Sequence, residues 1–182
     1  MLKRYLKNQK GLTLIELLAV VVILGIIAAI AVPSIGRLID NSKQDAHVSN
    51  ALQMIASTKI FATTSPAILP AKPSSGTNST YITLADLLAQ GHIEPLKDPD
   101  GKVYYPGTAV ASGGTYPTSA PDDTTSYVQI NTTDGITYTY AVRLVNSTTD
   151  ASGTAINRGV RPDPAGSSKV IAEGQVSRSN VR

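Results

Sequence analysis

Residues Lys10–Pro33 read K-GLTLIELLAVVVILGIIAAIAV-P, and the rest of the chain is understood from them. The twenty-one residues Leu12–Val32 are almost all apolar, with one carboxylate, Glu16, among them. As a helix rising about 1.5 Å per residue, this run is roughly 31 Å long, about the thickness of a bilayer's hydrocarbon core. A carboxylate in such a segment costs on the order of 2.5–3.5 kcal/mol at the helix centre. Glu16 therefore calls for a positive partner. The run reads as a membrane helix that anchors, exports or assembles the downstream chain.

On its N-terminal side lies MLKRYLKNQKG, which holds Lys3, Arg4, Lys7 and Lys10 and no acid. By the positive-inside rule this is a cytoplasmic flank. Two processing schemes fit a basic leader ahead of an apolar run. One is a secretory signal cut at a small-x-small site, here Ala29-Ile30-Ala31. Glu16 and the long apolar run Leu12–Ala28 suit that scheme poorly. The other is a cut between Gly11 and Leu12, ahead of the apolar run.

The residues K-G-L-T-L-I-E at 10–16 resemble the cleavage and methylation motif of type IV prepilins and the related pseudopilins. That resemblance covers about residues 7–40. It implies that a membrane prepilin peptidase cuts after Gly11 and then N-methylates Leu12, leaving residues 1–11 as a leader. The family's acid, five residues into the mature chain, falls on Glu16, and its helix-bending proline falls on Pro33. A glycine between them matches Gly25, and Leu12 stands where phenylalanine is commoner. The resemblance further implies a fold: α+β, with a long kinked N-terminal helix packed on a small antiparallel sheet.

The chemistry of the stretch agrees with this assignment. After the cut, Leu12 carries a free ammonium, and Glu16 lies one turn along, near the positive end of the helix dipole. The two can pair within a subunit. The family implies instead that Glu16 meets the Leu12 amine of a neighbouring subunit, so that only a processed subunit in register offsets the buried acid. From Gly25 to Pro33 the helix is poorly supported locally. Pro33 lacks an N–H and crowds the carbonyl of Ala29. The family implies partial unwinding of this segment in a filament, and a simple kink at Pro33 is the alternative.

From residue 34 to 63 the pattern turns amphipathic. Ile35, Leu38, Ile39, Val48, Leu52, Ile55 and Ala56 form the expected apolar stripe. His47 reads as a surface residue, since no carboxylate or Cys constellation accompanies it locally. Residues 64–182 then form a head. The stretch 64–80 is rich in Pro, Ser, Thr and Gly and reads as a loop. Thr83 with Asp86, staple residues Ile82 and Leu87, and Gly91 as terminator predict a short helix at 84–90. Asp98-Pro99-Asp100-Gly101 is turn chemistry and begins D-P-x-G-x-x-Y, similar to an element of pseudopilin and Gram-positive pilin heads. It superficially matches the start of a calcium loop, but the later acids of such a loop are missing, so no metal site is expected. Asp122-Asp123 would add ligands from a neighbouring loop, but nothing in the sequence brings them to the turn.

Residues 106–125 read as a surface excursion. Strands are expected at 127–132 and 136–145, turning at Asp134-Gly135, with Ile136, Tyr138, Tyr140, Val142 and Leu144 on the apolar face and Thr137, Thr139, Ala141 and Arg143 facing solvent. A further polar loop spans 146–168, and a last strand is expected at 169–176. Three glycosylation-type triplets start at Asn78, Asn131 and Asn146, a weak signal in so Ser/Thr-rich a chain.

Composition limits the alternatives. The chain has 182 residues, 42% hydrophobic, enough for one membrane segment and one modest domain. It has no Cys, which removes disulfides, thiolate metal sites and Cys nucleophiles. The net charge is +3, and without the four leader cations it is 3 − 4 = −1. A mildly basic C-terminal end (Arg143, Arg158, Arg161, Lys169, Arg178, Arg182) leaves DNA contact open. Two isolated His and no G-x-S-x-G or H-E-x-x-H give a tethered enzyme little to work with, and no cofactor is expected.

The reading is a filament subunit, not an enzyme: a single-pass membrane precursor that becomes part of an extracellular filament serving adhesion, motility or DNA uptake. The resemblance implies copies of itself, the peptidase and methylase, an assembly ATPase and a membrane platform protein as partners. Missing cysteines bring it closest in character to Gram-positive type IV pilins. A pseudopilin of a secretion or competence machine is the alternative, and a secreted or anchored binding module a more distant one.

Overall fold

The computed structural model describes residues 14–111, 113–146, 159–160 and 170–181. Gly11, Leu12, Arg158, Arg161, Lys169 and Arg182 therefore lie outside the described residues, as does most of the 146–168 loop. After Asn41 the chain divides into two compact units.

One helix, α1, spans Leu14–Thr64 and so contributes to both. Pro33 sits inside it, and the helical assignment is continuous through the residue. The missing N–H does not end the helix. In the first unit the apolar side chains point outward all round. Leu14 is 85% exposed and Ile30 71%. Among the described residues this is the one helix long and apolar enough to cross a membrane.

The second unit is a layer of helix on sheet. Four antiparallel strands lie in the order β1-β2-β3-β4: β1 Asn78–Thr83, β2 Tyr127–Thr132, β3 Thr139–Arg143 and β4 Ile171–Ala172. A short helix, α2 (Leu84–Ala89), comes directly after β1. The core comprises Ala51, Met54, Ile55 and Phe61 of α1, Ile82 and Leu87, Val128 and Ile130, and Val142 and Leu144. Each large side chain buried here contributes about 1.5–3 kcal/mol.

This arrangement is the expected α+β one, a long N-terminal helix on a small antiparallel sheet, with differences of detail. The buried face of α1 is His47, Ala51, Met54, Ile55, Thr58, Phe61 and Ala62. The predicted stripe is thus rotated: Ile35, Leu38, Ile39 and Leu52 are exposed, as is Ala56. Strand β1 begins inside the stretch expected as loop. Its Asn-Ser-Thr start is polar, and its pairing with β2, Ser79 opposite Asn131 and Thr80 opposite Ile130, is a long-range contact. The expected strand 136–145 shortens to Thr139–Arg143, and Ile136 is 83% exposed. Asp134 causes this. Its Oδ1 accepts the N–H groups of Ile136 (2.9 Å) and Thr137 (2.7 Å), capping a wider turn than a two-residue hairpin. Gly135, at φ +75°, packs where a Cβ would meet Lys72 Cβ at 2.6 Å.

The second face of the sheet is also covered at one end. Ala141 and Arg143 are buried, not solvated, and so are Tyr81 and Tyr127, whose rings meet edge to face at 5.5 Å. The 106–125 segment does the covering: Pro117 O accepts from Tyr81 N–H (3.0 Å), and Asp123 O accepts from the Arg143 guanidinium (2.6 Å). The last strand shrinks to Ile171–Ala172 before a 3-10 turn at Glu173–Gln175. The C-terminal segment is then clasped to α1 by Lys59–Glu173 (2.6 Å) and by Arg178–Asp45.

The capping prediction for α2 holds in detail. Thr83 Oγ1 accepts from Asp86 N–H (3.1 Å), and Asp86 Oδ2 accepts from Thr83 N–H (2.8 Å). Gly91 stands just beyond the helix at φ +70°.

Candidate functional site

Two places carry chemistry. The first is the start of α1. Glu16 lies in its first turn, where an anion is favoured by the aligned peptide dipoles. Its side chain belongs to the exposed part of the helix. Gly25 lies nine residues on, and a Cβ there would meet nothing within 4 Å. The surface from Leu14 to Val32 thus offers outward-facing apolar side chains, one acid near the N-terminal end, and Pro33 beyond.

The second place is in the head, and local sequence patterns do not reveal it. The 98–101 turn forms as expected. Gly101 N–H donates to Asp98 O (3.0 Å), with Gly101 at φ +73°. Asp98 organises it further: Oδ1 accepts from Asp100 N–H and Oδ2 from Lys102 N–H, both at 3.1 Å. The unexpected feature is that this turn docks on α1 through His47. That residue is 1% exposed, not a surface histidine. Its Nε2 lies 3.1 Å from Asp100 Oδ2 and 3.6 Å from Asp98 Oδ1. Its Nδ1 lies 2.7 Å from the Tyr104 hydroxyl.

Further bonds tie the turn to the helix. Asn50 Nδ2 donates to Lys97 O (2.9 Å) and to Tyr104 Oη (3.0 Å). Tyr104 Oη thus accepts from Asn50 while it meets His47 Nδ1, and His47 Nε2 faces the Asp100 carboxylate. Burial pushes the Tyr104 phenol well above its ordinary value, which keeps it a donor. Lys43 Nζ stands 3.3 Å from Asp100 Oδ1. Asn146, fully buried, donates from Nδ2 to Asp98 Oδ2 at 2.8 Å.

Other candidate residues are accounted for. Asp123 lies on Arg143 and does not join this group. His92 stacks on Phe61 at 4.5 Å. Of the basic C-terminal end, Arg143 and Arg178 have partners within the head. Asn146 is buried, while Asn131 Oδ1 accepts from Ser79 Oγ (2.7 Å) and Asn78 Nδ2 donates to Ala71 O (3.0 Å). The three asparagines that begin the triplets are thus bonded within the folded head.

Residues 6–32 match the family model of the prokaryotic N-terminal methylation motif. The chain therefore carries the N-terminal segment of a type IV prepilin-like precursor. The match ends at residue 32, within the apolar part of α1 and before the second compact unit begins. No curated protein and no solved structure matches the chain. The motif implies processing by a prepilin peptidase, and the apolar helix fits a membrane-anchored precursor.

Proposed function

We propose that this chain is a structural subunit of an extracellular type IV pilus-like filament. The carrying observation is the coincidence of the methylation motif at residues 6–32 with a helix whose apolar side chains, from Leu14 to Val32, are turned outward. Such a surface needs lipid before assembly and neighbouring copies of the same helix after it. Cleavage between Gly11 and Leu12 creates the ammonium that Glu16 requires, and N-methylation retains its charge. Glu16 then sets register by pairing with the Leu12 amine of an adjacent subunit. Gly25 and Pro33 mark the part of the helix that yields when the filament is stretched.

The finer role depends on the head. A head of this size, without cysteines, supports a surface pilus subunit of the Gram-positive kind over a competence pseudopilin. Its outer surface decides what the filament touches, whether in adhesion, motility or DNA uptake. An assembly ATPase and a membrane platform protein complete the machine.

The test is Glu16→Ala in cells that make the filament. The variant is expected to be cleaved and to accumulate in the membrane at the wild-type level. Sheared filaments should fall to background, because the apolar surface survives and the register-setting charge does not. Wild-type filament yield from this variant would sink the proposal.

A further inference from the structure

The His47 cluster is more than a docked turn. We propose that His47 Nε2, Asp98 Oδ1 and Asp100 Oδ2 form a binding site for one divalent cation of the zinc class, which pins the 98–102 turn to α1. Three lines of geometry lead there.

The first is ligand spacing. The three atoms lie within 4.8 Å of one another, with the two distances from His47 Nε2 at 3.1 and 3.6 Å. Ligands bound at about 2.1 Å in a tetrahedral shell stand roughly 3.4 Å apart. One imidazole nitrogen with two carboxylates suits zinc and its neighbours, whereas calcium takes six to eight oxygens. The second line is the outer shell. The far nitrogen of His47 is held by Tyr104, and the far oxygen of Asp98 by Lys102 N–H and Asn146 Nδ2. Metal-ligating imidazoles and carboxylates are held in this way.

The third line is an unsatisfied acceptor beside the cluster. Asn146 is 0% exposed, and its amide is seated on Asp98. Its Oδ1 has no hydrogen-bond partner. A buried acceptor without a donor costs about 1–3 kcal/mol. A water completing the shell of a bound ion would donate to it, which gives the orphan atom a reason to be where it is.

A metal on Nε2 takes the imidazole with that nitrogen free of its proton, so in the filled site His47 holds its proton on Nδ1, against Tyr104 Oη.

The experiment titrates Zn2+ into the untagged full-length chain in detergent, with calorimetry for stoichiometry and NMR of the imidazole C–H signals for location. The chain has two histidines, His47 and His92, which makes the second readout unambiguous. Expected are one zinc per chain, a shift of the His47 signal with His92 unmoved, and at least tenfold weaker binding in Asp100→Asn and His47→Gln. Calcium should produce none of these. The idea fails if zinc does not saturate at one per chain, if His92 is the histidine that moves, or if the two variants bind as the wild type does. The wild-type NMR titration decides the matter even if a variant fails to fold, and it is independent of filament assembly.

Discussion

The two halves of α1 obey opposite rules. Residues 14–41 turn apolar side chains outward on every side, and Leu24 is as exposed as its neighbours. Residues 42–64 bury Ala51, Met54, Ile55 and Phe61 under the sheet and leave Leu52 and Ile60 exposed. A single continuous helix therefore contains a segment satisfied by its own chain and one that needs other molecules. The head can fold as a unit around its own core. On the proposed function, the apolar half takes its partners from the bilayer or from copies of itself.

The largest test of that contrast is a pair of equal truncations. Leu87→Ala removes a fully buried side chain and should destabilise the head by about 2–5 kcal/mol in denaturant unfolding. Leu24→Ala deletes the same atoms from the exposed half and should leave that transition within about 0.5 kcal/mol of wild type. Equal losses would mean that the apolar half shares the head's core.

A smaller effect of opposite sign is expected at Tyr127. Its hydroxyl is buried without a partner, and burial pushes the phenol up to about 12. Because burial disfavours the phenolate, this group leaves head stability unchanged below the unfolded value of 10.0 and lowers it as pH rises from there toward the folded one. Tyr127→Phe should raise head stability by about 1 kcal/mol near neutral pH and flatten its decline between pH 10 and about 12. The smallest effect is at the exposed turn. Hydrogen bonds from Ile136 N–H and Thr137 hold the Asp134 carboxyl well below its ordinary 3.8. That contribution is complete above 3.8 and fades as pH falls toward the folded value. Asp134→Ala should therefore lower the melting temperature slightly at pH 7, with the difference from wild type shrinking steadily below pH 4.

Local chemistry is legible in the sequence wherever its partners lie close by. The motif around Gly11 and Glu16, the Thr83–Asp86 capping box and the Asp98–Gly101 turn each depend on residues within a few positions. Long-range placement is not. His47 meets acids more than fifty residues away, so its own neighbourhood carries no sign of them. Strand β1 starts with Asn78 and Ser79, whose polarity suits a loop until Asn131 pairs beside them. The buried face of α1 departs from the apolar pattern because Leu52 and Ala56 resemble core residues while Thr58, buried and bonded to Met54 O at 2.9 Å, does not. A serine or threonine that returns its hydroxyl to the helix backbone can face a core.

The proposed function places the processing cut ahead of the apolar run. Intact mass of the chain recovered from membranes or filaments reads the resulting terminus without intermediaries. The expected polypeptide begins at Leu12 and carries one added methyl group. A chain beginning at Val32, or one that still carries Met1, would contradict filament-subunit processing.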